Sequence, residues 1–269
     1  MSPPPAHHFD WRLGPLHLPV NLPALAEPAG GLSLRCDDAL VVAADPSHWH
    51  ANRRDGVWHW QTAATAGHWQ VDPTQTDCGA GEARVATDVW RTAVLEAAIA
   101  AMWCEVVERN GLVLHAATLA SPTGDGRSVV VAGRSGAGKS TLAQRFPDLW
   151  VNEEHAFLLP TPTGWQAWYL RQYRGQRNHA SQWGALYALY LLDPADRDHT
   201  HRVRLTERDA QAGLLANGYI PHGDGLSALL ANSQALLQDV PVYHLGHSLA
   251  TSAADLASLL FASKDSPDA

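Results

Sequence analysis

Residues 133–140 read Gly-Arg-Ser-Gly-Ala-Gly-Lys-Ser, directly after the apolar run Ser-Val-Val-Val-Ala and directly before Thr-Leu-Ala-Gln-Arg-Phe. A β run that passes through a Gly-x4-Gly-Lys-Ser turn into a helix confines a chain to α/β architectures with a phosphate cradle at a strand end. Each position has a physical reason. Gly133, Gly136 and Gly138 let the backbone N–H groups of the loop, those of Arg134, Ser135 and Ala137 included, turn inward as an anion nest, and the helix start adds partial positive charge. Lys139 is placed to reach the β and γ phosphates, and the Ser140 hydroxyl to take one position on Mg²⁺, with Thr141 beside it. Lys139 and Lys264 are the only lysines among 19 basic residues, so a merely solvated positive charge is elsewhere supplied by arginine. The expected cofactors are ATP and Mg²⁺.

The rest of the composition narrows the class. Folding 269 residues buries about three-quarters of the surface an extended chain exposes, enough for one large domain or two small ones. A net charge of −8, from 27 acids against 19 bases, argues against a broad nucleic-acid or anionic-membrane surface. Cys36, Cys78 and Cys104 are too few and too scattered for a disulfide framework or a Cys-rich zinc site, and neither Cys78 nor Cys104 has a base beside it in sequence. The N-terminus lacks the basic stretch and apolar core of a secretory signal, and no 18-residue apolar run occurs, so the expected compartment is the cytoplasm.

Punctuation by glycine and proline divides the chain into a β-rich N-terminal region at 1–86, an α/β domain at 87–262 and a frayed tail at 263–269. Strands are expected at 16–20, 32–36, 39–44, 57–61 and 68–72. Over 88–110, Trp90, Val94, Ala98 and Met102 share a helical face, with Gly111 at the expected C′ position. Apolar β runs follow at 112–120 and 128–132, then the glycine loop and its helix. Buried strands are expected at 165–171 and 184–193, helices at 206–217 and 225–238, a strand at 240–246 and a closing helix at 252–261.

A phosphate cradle names no reaction, so its neighbours matter. Residues 149–155, Leu-Trp-Val-Asn-Glu-Glu-His, are an apolar run ending in Glu153 and Glu154, as expected of a strand beside the loop strand. Phosphoryl transfer to an alcohol uses carboxylates in two roles, one on the metal and one at the acceptor proton.

The succession Leu-Val-Leu-His-Ala-Ala-Thr-Leu, the glycine loop, then Leu-Trp-Val-Asn-Glu-Glu-His-Ala-Phe-Leu-Leu resembles the kinase domain of the HPr kinase/phosphorylase superfamily over about residues 95–250. The closer likeness is to the shorter related kinases of peptide natural-product pathways, including those that phosphorylate lasso peptide precursors. The resemblance implies a P-loop-containing HPr-kinase-like α/β core. It further implies Glu153 as base on the acceptor, Glu154 and Ser140 as metal partners, and His115 on the phosphate side of the site with Lys139. The acceptor would be a hydroxyl, serine foremost, of a peptide, protein or small metabolite. The family's usual acids are aspartates and both are glutamates here, so a nucleotide-binding regulatory module without transfer is the alternative, and an NTPase switch a third reading. Oligomerisation stays open.

Other groups have two readings each. His115 lies mid-run, where a satisfied core histidine is the ordinary alternative. Arg134 points either to solvent or to phosphate. Arg171, Arg174 and Arg177 around Gly175 form either an acceptor clamp or a solvated loop. His48, His50, His59 and His68 lie among Trp49, Trp58, Trp60 and Trp69. Their spacing matches no familiar zinc pattern, and the alternation suits a half-exposed hairpin that could offer a peptide an aromatic face.

Overall fold

Short alternating runs between Gly, Pro and Asp breaks become a sheet in the first of two units, Met1–Arg109 with Ile220–Ala228; the second is Asn110–Tyr219 with Leu229–Ala269. The computed structural model describes residues 7–13, 16–22, 31–37, 50–62, 64–71, 79–86, 90–146, 150–152, 154–168, 183–196, 198–219 and 225–263. The expected strand at 39–44 lies outside them.

The first unit holds β1 (His7–Leu13), β2 (Leu16–Leu22), β3 (Gly31–Asp37), β4 (His50–Arg54), β5 (Val57–Gln61), β6 (Thr65–Gln70), β7 (Ala80–Ala86) and helix α1 (Trp90–Glu108). Its sheet runs β1-β2-β3-β7-β6-β5-β4, parallel only at β2–β3 and β3–β7. α1 packs on β6 and β7 and also meets β3. The contacts therefore divide the chain after Arg109 rather than at 86/87, because the helix buries its apolar residues on the N-terminal sheet. Among the described residues the hairpin offers no exposed aromatic face: Trp58, Trp60 and Trp69 are buried, and His59 and His68 are exposed on the opposite side, while His48 and Trp49 lie outside those residues. Strand alternation sends the large apolar rings to the helix and the imidazoles to water. Trp58 meets Trp103 of α1 edge-on at 5.1 Å. Gly81 is required by this packing, since a Cβ there would lie 2.8 Å from the Trp69 ring. α1 ends one residue earlier than expected of a Gly111 cap: Asn110 takes the left-handed conformation, at φ 59°, a geometry its short polar side chain tolerates.

The second unit contains β8 (Leu112–Leu114), β9 (Ala116–Ala120), β10 (Arg127–Ala132), α2 (Lys139–Gln144), β11 (Trp150–Asn152), β12 (Ala156–Thr161), β13 (Gly164–Trp168) and β14 (Trp183–Leu192). It continues with β15 (His201–Arg204), α3 (Glu207–Asn217), α4 (Gly225–Asp239), whose first turn counts with the other unit, β16 (Val242–Gly246) and α5 (Ala253–Leu260). Nine strands form a mixed sheet in the order β11-β9-β10-β14-β13-β12-β8, with β16 also on β14 and β15 on β16. β14 branches the sheet. Its first residues pair with β13 and its last with β16, while β10 runs parallel along its other edge. Alternation along β10 feeds two cores: Val130 and Ala132 pack with Leu214 of α3 and Leu236 of α4, Val129 and Val131 with Leu142 of α2 and Leu256 and Leu260 of α5. Covering both faces of a partly parallel sheet with helices makes this an α/β layer structure.

Helix starts follow local chemistry. Thr206 and Ser252 are N-caps whose hydroxyls accept from the amides of Asp209 and Asp255, with those acids also in the first turn. Among the described residues no helix is long and apolar enough to cross a membrane.

Candidate functional site

β10, β14 and β16 run parallel, and their register brings Ala132 opposite Leu191 and Leu192 opposite Leu245. Their carboxyl ends therefore open on one side, followed by Gly133, Asp193 and His247 respectively. Crevices outside the carboxyl ends of parallel strands are where ligands bind in open α/β sheets. A cleft of about 230 Å³ lies there, lined by Gly136, Ala137, Gly138, Thr141, Asp193 and His247 among others. Its volume is below the about 300–1,000 Å³ that encloses a whole small-molecule ligand, a size suited to the phosphate end of a nucleotide.

The 133–140 loop has the conformation its glycines permit. Gly136 and Gly138 have φ of +79° and +107°, which side chains with a Cβ rarely adopt. Ala137 donates its amide to Arg134 O at 3.0 Å, and Leu142 donates to Gly138 O at 2.8 Å. Lys139 is buried, and its ammonium donates to Gly133 O at 2.6 Å and to Arg134 O at 3.1 Å. Burial pulls the Lys139 pKa down, opposed by the charge of Glu154. Arg134, Ser135, Gly136, Ser140 and Thr141 are exposed. The helix that follows, α2, is only six residues long.

The expected single strand at 112–120 is two strands bent at His115. β8 pairs with β12, whereas β9 pairs with β10 and β11. His115 donates its backbone amide to Asn217 O at 2.7 Å, and its Nδ1 lies 3.4 Å from Tyr219 Oη and 4.0 Å from Glu154 Oε2. Its pKa is lowered, first by burial, then by the Lys139 charge, with Glu154 opposing. His115, Lys139 and Glu154 thus share one electrostatic neighbourhood. Glu153 lies outside the described residues, as do Arg171, Arg174, Gly175 and Arg177. The strand bearing the two glutamates is not beside the loop strand: β11 pairs with β9, and β14 takes the parallel position on the other side of β10. Among the described residues, Asp193, closing the apolar run of β14, is the acid that lines the loop cleft. Its only sequence signal was an acid ending a buried strand. His247, also missed, is buried at the cleft wall. Its pKa is lowered by burial and then by Arg145, whose Nη1 lies 3.5 Å from its Nε2. Cys104 is buried in α1, and burial with the Glu105 charge raises its thiol pKa, consistent with no nucleophilic role.

His155 packs against Tyr219, which also contacts His115. Its ring stacks on Tyr219 at a centroid distance of 4.5 Å, and burial, followed by the proximity of His115, lowers its pKa from 6.5 to about 4. The unfolded chain then binds more protons than the folded one between those values. Stability contributed by His155 is complete above pH 6.5 and is lost as pH falls toward about 4. Thermal melts between pH 4 and 7 are expected to show this loss, and His155→Phe, which keeps the stacking, to flatten part of the slope; His115 and His247, also lowered, act in the same direction, as do the lowered carboxyls of Asp125 and Asp196 near the acid end. An unchanged slope in the variant would remove His155 from the account.

No protein-family model matches the chain, and no curated protein matches it either.

Proposed function

We propose that the second unit is an ATP–Mg²⁺-dependent phosphotransferase of the HPr-kinase-like type, acting on a hydroxyl, serine foremost, of a peptide, protein or small metabolite. The observation that carries this reading is the juxtaposition of a left-handed glycine loop and buried Lys139 with carboxylates on both flanks, Glu154 near His115 and Asp193 in the cleft. The donor set suits Mg²⁺ and triphosphate. Exposed hydroxyls at Ser140 and Thr141 and carboxylates at Asp193 and Glu154 are hard oxygen ligands, and the loop amides with Lys139 supply the positive side. Bound Mg²⁺ would neutralise charge on the β and γ phosphates.

Two of the three N–H groups of the Lys139 ammonium are tethered to loop carbonyls, which orients the third without immobilising a long side chain at binding. The proposed transfer forms a bond from the acceptor oxygen to the γ phosphorus, breaks the bond to the β–γ bridging oxygen, and passes the acceptor proton to the Glu153 carboxylate; ADP leaves. His115, kept neutral by burial and Lys139, presents a hydrogen-bonding group to the phosphate side without adding charge.

The flanking acids separate in a Mg²⁺ titration. Glu154→Gln and Asp193→Asn are each expected to raise the Mg²⁺ requirement about tenfold or more, with ATP binding retained. The larger effect identifies the principal metal ligand. No change in either variant removes both from the metal. Transfer itself is tested by incubating the protein with ATP, Mg²⁺ and a panel of serine peptides and hydroxy metabolites, then seeking by mass spectrometry the increment of one phosphate group, about 80 Da. Acceptor-dependent loss of ATP with that increment is the expected result. Thermal stabilisation by ATP without any increment would support the regulatory nucleotide-binding module, which the two glutamates in place of aspartates favour.

A further inference from the structure

Behind the cleft, a second polar cluster joins the loop after β14 to the β15–β16 pair. His201 stands opposite Gly246 in the antiparallel register and Val203 opposite His244, so the two histidines are diagonal neighbours on one face. Asp196 closes the cluster from the loop. Its Oδ2 lies 3.0 Å from His244 Nε2 and 3.2 Å from His201 Nε2, and the three ligand atoms all lie within 4.8 Å of one another. Gly246 makes the approach possible: a Cβ there would lie 2.6 Å from His201 Cε1 and 2.7 Å from Asp196 Oδ2.

The hydrogen-bond partners of His201 are compatible with metal ligation. His201 Nδ1 lies 3.3 Å from His199 O, and a carbonyl can only accept, so this contact places the ring proton on Nδ1. With the proton on Nδ1 alone, the lone pair of Nε2 faces Asp196 Oδ2. A cation between the two atoms, a proton or a metal ion, satisfies both, and the binding test below distinguishes them. A metal-ligating histidine characteristically donates its other ring N–H to a backbone carbonyl, as His201 does. Metal–nitrogen and metal–oxygen bonds of about 2.1 Å put adjacent ligand atoms about 3.0 Å apart at right angles and about 3.4 Å apart in a tetrahedron, the range occupied by the two Asp196 contacts.

We propose that Asp196, His201 and His244 form a binding site for a divalent transition metal of the zinc class. Two imidazoles and one carboxylate without thiolate suit Zn²⁺ and its neighbours over Ca²⁺ or Mg²⁺. The three side chains are about one-third exposed or less, at 29%, 33% and 29%, which leaves water to complete the coordination. The site is distinct from the glycine loop and its metal but tied to the cleft through backbone. Asp196 donates its amide to Asp193 O at 3.3 Å, and His247 donates its amide to Asp196 O at 3.0 Å. A metal holding Asp196 on β16 therefore braces the turn that carries Asp193.

The test uses the full chain, stripped with a chelator and kept free of nucleotide, so its outcome is independent of the phosphotransferase reading. Zn²⁺ is titrated by calorimetry and Co²⁺ by visible absorption. Wild type is expected to bind one equivalent that His244→Gln weakens about 100-fold or more and that Gly246→Ala also weakens by placing a methyl group against Asp196. Zn²⁺ is further expected to shift the ring resonances of His201 and His244 in wild type and to slow hydrogen exchange over residues 193–200, readouts that need no variant to fold. Absence of binding by wild type would overturn the proposal and leave Asp196 as a hydrogen-bond partner of the two histidines. Binding undiminished in both variants, with other histidine resonances shifted, would overturn it too.

Discussion

Lys139→Arg is expected to lower ATP-dependent transfer about 100-fold or more, the loss typical of removing one preorganised donor from a developing charge, while the far-ultraviolet circular dichroism stays that of the wild type. The reason is geometric. The ammonium sits buried inside the loop, bonded to Gly133 O and Arg134 O, and a compact point charge with tetrahedral donors fits there. A guanidinium is planar and larger, so it must either leave the loop or push apart a turn whose left-handed glycines allow little adjustment. Turnover is read as ATP consumption with an acceptor present. A variant with wild-type turnover would exclude Lys139 from the chemistry and with it the proposed cradle.

Glu105→Ala is expected to destabilise the first unit by about 3 kcal/mol, the cost of orphaning buried partners of a charge. Glu105 is fully buried in α1. Its Oε2 accepts from Trp69 Nε1 at 2.9 Å and from the Gly79 amide at 3.1 Å, and its Oε1 accepts from Arg109 Nε at 2.8 Å. One carboxylate therefore ties the helix to β6, to the backbone before β7 and to Arg109, the residue directly after its last turn. Removing it leaves a buried indole N–H and a backbone amide without this acceptor, and takes the carboxylate from the Arg109 guanidinium. The measurement is denaturant unfolding followed by hydrogen exchange of α1 and β6 amides. Glu105→Gln, which keeps an acceptor but not the charge, is expected to fall between the two. A loss below about 1 kcal/mol, the scale of an ordinary hydrogen bond, would show that water replaces the carboxylate.

The features legible in the sequence were those set by neighbours in the chain. The strand–loop–helix at 127–144 followed from three glycines and an apolar run, and the starts of α3 and α5 followed from Thr206 and Ser252 with acids three residues on. α1 was legible as a helix for the same reason, although the choice between Asn110 and Gly111 as its left-handed residue was not, because both tolerate that conformation.

Pairings across long sequence separations were another matter. That β14 rather than β11 lies parallel beside the loop strand depends on which strands the sheet joins, and local pattern carries no record of that choice. This one choice moves Asp193 into the cleft. Likewise, the break at His115 is invisible in an unbroken apolar run, because it arises from β8 and β9 having different partners. The tryptophans of the N-terminal hairpin showed their alternation in sequence, but which face met α1 was decided only when the helix packed. Asp196, His201 and His244 meet because β15 returns antiparallel along β16. The sequence by itself determined the glycine-loop motif, the N-cap positions of α3 and α5 and the helical and strand periodicities, since these rest on interactions within a few residues. Tertiary structure alone decided which carboxylates and imidazoles share a site, since side chains distant in the chain are brought together by the order and register of strands.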